Sequence, residues 1–185
     1  MTTDLELLQQ AQKLNRHAFG VIYDRYYDAL YRYVYQHIRH AQTAEDLAAE
    51  VFHRLVESFG EGRGPTEHLR GWLYRVAYNL VVDESRRHTV RQHEPLDERL
   101  PADGESVATL AHRSALADQA REALHHLTPR QRSVIVLKFL EGLTNGEIAH
   151  TLDISERAVQ KLQQRGLEAL RGHLVHLGAL AEKVV

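Results

Sequence analysis

Apolar positions recur along this chain at the spacing of α-helices, three and four residues apart, and nowhere alternate over a length that would make a strand. Phe19, Ile22, Tyr23, Tyr26, Leu30, Tyr33 and Val34 keep that spacing, and six of the eight tyrosines lie between positions 23 and 35, mostly as core. Thr43-Ala44-Glu45-Asp46 reads as a helix start, followed by Leu47, Val51, Leu55 and Phe59. A further helix is predicted from about Leu69 to Arg87, with Leu69, Leu73, Val76, Ala77 and Leu80 forming its apolar arc.

Residues 127–170 carry the most specific pattern, three helices each with its own start signal. Thr128 caps the first, Pro129 suits its first position, Gln131 completes a capping box, and Gly142 ends it. Thr144 with Glu147 repeats the device, and Ser155 caps the third helix. Leu152-Asp153-Ile154 forces a sharp turn between the last two, with Ala149 small at the crossing and Val159 apolar opposite it. This is helix-turn-helix spacing, in which the last helix enters a major groove with its N-terminal half. Arg157, Lys161, Gln164 and Arg165 lie off the apolar seam of Val159, Leu162 and Ala169, so their donors face phosphates and base edges. The competing reading is a three-helix packing unit with a solvated charged face.

The fold class is therefore all-α, two small helical domains joined by a flexible linker, the C-terminal one a helix-turn-helix. The boundary falls where long apolar periodicity gives way to mixed charge with two prolines and a glycine. Residues 1–88 form the first domain, 89–117 the linker and 118–185 the second. No apolar run spans a bilayer, the acidic and polar start does not read as a signal peptide, and the absence of cysteine removes disulfides and thiolate metal sites. These features fit a cytoplasmic protein without membrane insertion. The formal net charge of −2 is awkward for a protein that grips DNA alone, because lysine and arginine contacts to phosphate supply most non-specific affinity.

In the helix from Leu69, Trp72, Arg75, Asn79 and Arg86 share an arc beside the apolar one, with Arg87 next in sequence. An aromatic among cations and an amide can stack bases and hold a backbone, although a tryptophan at a helix start also serves as core.

Three motifs in order, Ala44 to Phe59, Leu69 to Arg87 and Leu127 to Val159, resemble the extracytoplasmic-function (ECF) sigma factors of bacterial RNA polymerase, sigma-70 family. The resemblance covers roughly residues 5 to 172. It implies a non-enzymatic initiation factor without a cofactor or metal, which binds core RNA polymerase, directs it to promoters and helps melt the DNA. Asp46, Leu47, Glu50, Val51, Phe52 and Leu55 would meet the clamp helices of the largest subunit. Arg63, Trp72, Arg75, Asn79, Arg86 and Arg87 would meet the minus-ten element, Arg63 from a Gly60-to-Pro65 loop in the place of the family's base-capturing loop. The helix from Ser155, with Arg157, Lys161, Gln164 and Arg165, would read the minus-thirty-five element beside the flap of the second-largest subunit. The polymerase would then supply most of the DNA grip, and an anti-sigma factor would be a further partner. Ala49 and Tyr78 depart from the usual glutamine and arginine, and Asp153 from the usual glycine.

Two other classes fit parts of the pattern. Glu50-x-x-His53, Glu122-x-x-His125 and Glu147-x-x-His150 have the ligand spacing of di-iron helix bundles, although the helix carrying Glu147 is short for a bundle. A free-standing regulator would use the same DNA-binding unit without polymerase.

Overall fold

The computed structural model describes residues 2–91, 119–120 and 122–176, so most of the expected linker, and Leu177 and Val184 of the tail, lie outside the described residues. No strand occurs among the described residues.

Four helices make the N-terminal half: α1 (Asp4–Ala11), α2 (Arg16–Ile38), α3 (Ala41–Gly60) and α4 (Leu69–Arg91). Thr3 and Glu6 form a capping box at α1, and Asp4 ties that helix to α2 by accepting from Arg25 at 2.7 Å and from the Tyr26 hydroxyl. Ile22, Leu30, Tyr33, Val51, Leu55, Leu73 and Ala77 close the space between α2, α3 and α4. On α4 the buried arc also takes in Tyr74 and Val81, while Val76 is half-buried rather than core.

The expected start of α3 at Thr43 is corrected. Arg39 ends α2 in the left-handed region, at φ 57°, and the turned chain puts His40 at the cap, where Nδ1 accepts from the Thr43 N–H at 3.2 Å. Asp46 thus sits in the second turn, accepting from Gln42 Nε2 at 3.3 Å, and takes no part in capping.

The C-terminal half comprises α5 (Pro129–Ile135), a π-helical turn (Val136–Leu140) that continues it, α6 (Asn145–Leu152) and α7 (Glu156–His176). Capping boxes at Thr128/Gln131 and Thr144/Glu147 form as the spacing predicts, and Gly142, at φ 68°, follows the π turn. The π turn itself has no signature in the sequence pattern; it is marked by the Glu141 N–H reaching back five residues to the Val136 carbonyl at 3.0 Å.

The two halves share one apolar core. Leu124, Val134, Ile135, Leu137 and Ile148 pack in the same cluster as Leu30, Tyr33, Leu73 and Tyr74. Helix α6 lies along α4, close enough that a Cβ added at Gly71 would sit 3.5 Å from Thr151 Oγ1. Polar groups cross as well. The Tyr33 hydroxyl donates to Ser133 Oγ at 3.2 Å, and His37 Nε2 meets the same oxygen at 3.0 Å. The buried Arg132 guanidinium donates to the carbonyls of Leu124, His125 and Leu127, and to Gln36 in the last turn of α2, where carbonyl dipoles favour a cation.

Candidate functional site

The chemistry expected from the sequence falls on three helix faces. On α3, Asp46 is exposed and Leu47 and Glu50 are half-buried beside it. Glu50 accepts from Arg54 Nε at 2.9 Å, one turn on, which holds its carboxylate on the outer face. Of the rest of the expected polymerase set, Val51 and Leu55 are 0% and 1% exposed, and Phe52, at 8%, lies beneath the rings of Tyr23 and Tyr27. Those three hold α3 in place. The sequence missed Tyr23, Tyr27 and Tyr31 as a surface feature: they stack at 4.8 and 6.4 Å on the exposed side of α2. A spacing of four along one helix was the available signal.

On α4, Asn79, Arg86 and Arg87 are exposed, and Trp72 and Arg75 are half-buried, with Trp72 resting on the core. The core reading of the tryptophan is met in part: its position is fixed by packing while part of the indole stays open. Arg87 is lightly paired with Glu84 at 3.4 Å. This face is turned away around the helix from Arg70, Gly71 and Tyr74, which meet the C-terminal half.

The loop before α4 has a reason of its own for glycine. A Cβ on Gly64 would lie 2.3 Å from Phe59 Cδ1, so the Phe59 ring, itself edge-on to Phe19, occupies the space. Gly64 is required by this packing, whatever the loop touches; Arg63 beside it is exposed and paired with Glu61.

Helix α7 presents the third face. Ser155 Oγ accepts from the Ala158 N–H at 3.2 Å, and Val159 is wholly buried, which fixes the rotation of the helix. Arg157, Lys161, Gln164 and Arg165 are consequently exposed, with Gln164 donating to Glu168 at 3.0 Å. Asp153 turns the chain in the left-handed region (φ 53°, ψ 52°), as the sharp turn requires. One seam residue is corrected: Ala169 is exposed, and the buried position is Gly166, where a Cβ would meet Ile135 Cγ1 at 3.0 Å. A glycine lets α7 approach α5 closely, a signal that apolar periodicity overlooks.

No three His, Asp or Glu side chains among the described residues converge in a way that could hold a metal ion. His53 lies 3.9 Å from Glu50 and 3.5 Å from Glu57, all three on the outer side of one helix, which is not the inward-facing arrangement of a di-iron bundle. No helix among the described residues is long and apolar enough to cross a membrane.

This arrangement of an α3 face, an α4 face and a helix-turn-helix defines a class. The sequence profile of sigma-70 region 2 matches residues 22–91, and that of sigma-70 region 4 matches residues 117–170. The chain belongs to the ECF RNA polymerase sigma factors of the sigma-70 family. It is 36% identical over 174 residues to the ECF RNA polymerase sigma factor BldN of Streptomyces coelicolor, covering 90% of this chain and 64% of that protein's length. It is 31% identical over 180 residues to SigW of Bacillus subtilis (90% and 94% covered), and 30% over 167 residues to SigX of the same organism (84% and 83%). Two solved structures share the fold. CnrH in complex with the cytosolic domain of CnrY gives a TM-score of 0.72 at 24% identity, covering 94% of this chain and 97% of that one. The sigma factor RpoE of Bartonella quintana, in complex with the anti-sigma factor NepR, gives 0.70 at 17% identity, covering 84% and 96%.

Proposed function

We propose that this chain is a promoter-specificity factor with no catalytic chemistry of its own, acting in the cytoplasm by binding core RNA polymerase and carrying it to promoters. The observation that carries the reading is the joint presence of an exposed acidic patch on α3 and a capped, outward-facing cationic α7 in a chain of the sigma-70 family. Asp46, Leu47 and Glu50 would engage the clamp helices of the largest subunit. Trp72, Arg75, Asn79, Arg86 and Arg87, with Arg63 from the loop, would bind the minus-ten element and stabilise the opened strand. Opening costs a few kcal/mol per unstacked base, which stacking on a half-open indole and backbone contacts from arginine would offset. Ser155, Arg157, Lys161, Gln164 and Arg165 would take the minus-thirty-five element, beside the flap of the second-largest subunit.

In this reading residues 1–88 are the region 2-like domain, 89–117 the linker and 118–185 the region 4-like domain. The net charge of −2 fits a factor whose grip on DNA is shared with the polymerase. An anti-sigma factor is a natural further partner, since two proteins of the same fold are seen in complex, one with the cytosolic domain of CnrY and one with the anti-sigma factor NepR.

The test is co-elution of the chain with bacterial core RNA polymerase on a sizing column, beside an Asp46→Ala, Glu50→Ala double variant. Both residues lie at the surface, so the fold should survive and co-elution should be lost. Failure of the folded wild-type chain to co-elute would sink the reading.

A further inference from the structure

Glu147-x-x-His150, a motif that the promoter reading leaves unused, is met from the other half of the molecule by a second acid and histidine. Glu67 and His68 end the loop before α4, and His150 stands on α6, which lies along α4. The two imidazoles face each other with ring centroids 6.3 Å apart and planes tilted by 55°. They line a cleft of about 820 Å³ that also takes in Glu67 and Glu147, with the buried Leu8 and Tyr26 among its walls.

The backbone beneath this pair is fixed while the rings are not. His68 sits in the left-handed region, at φ 53°, its carbonyl accepts from the Trp72 N–H at 3.0 Å at the start of α4, and the next residue, Leu69, is buried. A side chain held at positive φ is uncommon, and such positions gather at functional sites. On α6, the buried Ile148 and Ala149 leave His150 on the exposed side of the helix. No hydrogen bond among the described residues commits either ring, and Glu67 Oε2 lies 3.8 Å from His68 Nε2. His37 and His40, by contrast, have ring nitrogens engaged by the Tyr33 carbonyl and the Thr43 N–H.

Two imidazoles with a carboxylate in reach suit a divalent ion such as zinc or nickel, whereas magnesium and calcium favour oxygen ligands. Imidazoles that share a tetrahedral ion at about 2.0–2.1 Å have ring centroids about 5 Å apart, so this pair has only about 1 Å to close by turning two exposed side chains. The other facing pair, His126 and His173, stands at 3.7 Å, too close to admit an ion between the rings. Glu147 is already committed, its carboxylate accepting from the Thr144 N–H at 2.7 Å as the cap of α6. Glu67 has no such duty. We infer that His68 and His150 form a two-histidine site for a divalent cation of the zinc and nickel class, with Glu67 swinging in as a third ligand and water completing the shell. The cleft gives the ion its way in. The site depends on the packing of α6 along α4 and stands independently of the proposed function.

Calorimetric titration of the untagged full chain with nickel or zinc chloride, beside magnesium chloride, tests the site. Nickel and zinc should each fill one tight site that magnesium leaves empty. His68→Gln or His150→Gln should weaken that site at least tenfold, since losing even an outer partner of a metal ligand costs roughly 10–100-fold. The double variant should bind little worse than either single one, because a lone imidazole is no chelate. Glu67→Gln should weaken the site severalfold, and an unchanged affinity strikes the carboxylate from the ligand set. All three side chains are exposed, so these variants should fold. A His126→Gln, His173→Gln variant should bind as the wild type does. Because folding alone assembles the pair, nickel should also raise the melting temperature of the wild type and not that of the His68→Gln, His150→Gln variant. Tight binding that persists in that folded double variant, that disappears with His126 and His173, or that brings no thermal shift overturns the inference.

Discussion

His37 illustrates how a single side chain is committed by its surroundings. Nδ1 lies 2.8 Å from the Tyr33 carbonyl and must donate to it, which leaves Nε2 of the neutral ring as an acceptor 3.0 Å from Ser133 Oγ, competing for that hydroxyl's one proton with the Pro129 carbonyl at 3.0 Å. Burial pushes the imidazole down to about 4, with the charges of Arg132 and His125 acting in the same direction. The unfolded chain, with an ordinary histidine, takes up a proton near pH 6.5 that the folded chain refuses until about pH 4. Stability is therefore complete above pH 6.5 and falls as the pH drops through that window. The slope from this residue is at most about 1.4 kcal/mol per pH unit. His125, also lowered to about 4 by burial and by Arg132, adds to the trend with more screening because it is only half-buried. In urea titrations at pH 7, 6 and 5, a His37→Gln variant should show a flatter loss of stability than the wild type; parallel curves would exclude His37 as the source.

Gly64 gives a second residue-scale prediction. A methyl there meets the Phe59 ring, which Phe19 holds from another side, so Gly64→Ala should destabilise by roughly 1–3 kcal/mol. Gly60→Ala, four residues earlier with open space around the new methyl, serves as the control and should be neutral or slightly stabilising. Thermal unfolding of the two variants reads the difference.

At the scale of elements, the sequence was most informative where structure is decided within four residues. Thr128 with Gln131, Thr144 with Glu147 and Ser155 all cap as their spacing indicates, because a cap is a contact between near neighbours. Thr43 and Asp46 have the same spacing and do not cap, since the left-handed turn at Arg39 presents His40 first; that competition depends on where α2 ends. Arg157, Lys161, Gln164 and Arg165 could be placed on the outer face of α7 because one wholly buried residue, Val159, sets the phase of the helix. Gly166 was overlooked because an apolar pattern counts side chains and α5 is met by the lack of one. The exposed face gives a prediction for the holoenzyme. If Lys161 touches a phosphate, Lys161→Ala should weaken binding to promoter DNA and lower the slope of log K against log salt by about one. An unchanged slope would remove Lys161 from the DNA contacts.

For the whole molecule, the all-helical class and the order of the motifs were readable from periodicity, whereas the seam between the halves was not. Tyr33 and Ser133 are 100 positions apart, and neither carries a local mark of its partner. Tyr74 lies outside the apolar arc read from the sequence and is buried against Glu141. Val51 and Leu55 carry two sequence readings, the apolar spacing of α3 and the polymerase set that the resemblance implies, and the packing of α3 buries both.

The π turn also decides what kind of change this chain can accumulate. In an unbroken α-helix Ser133 and Glu141, eight residues apart, would diverge by about 80° around the axis. A turn that bonds five residues back advances less per residue, so it closes much of that angle and lets one continuous segment meet α2 with Ser133 and α4 with Glu141. Loss of a single residue between Val136 and Leu140 would restore regular winding and rotate one anchor away from its partner while the other stayed in place. The apolar residues among those five positions can be exchanged for one another, but the number of residues cannot change, so packing constrains the segment's length more tightly than its composition.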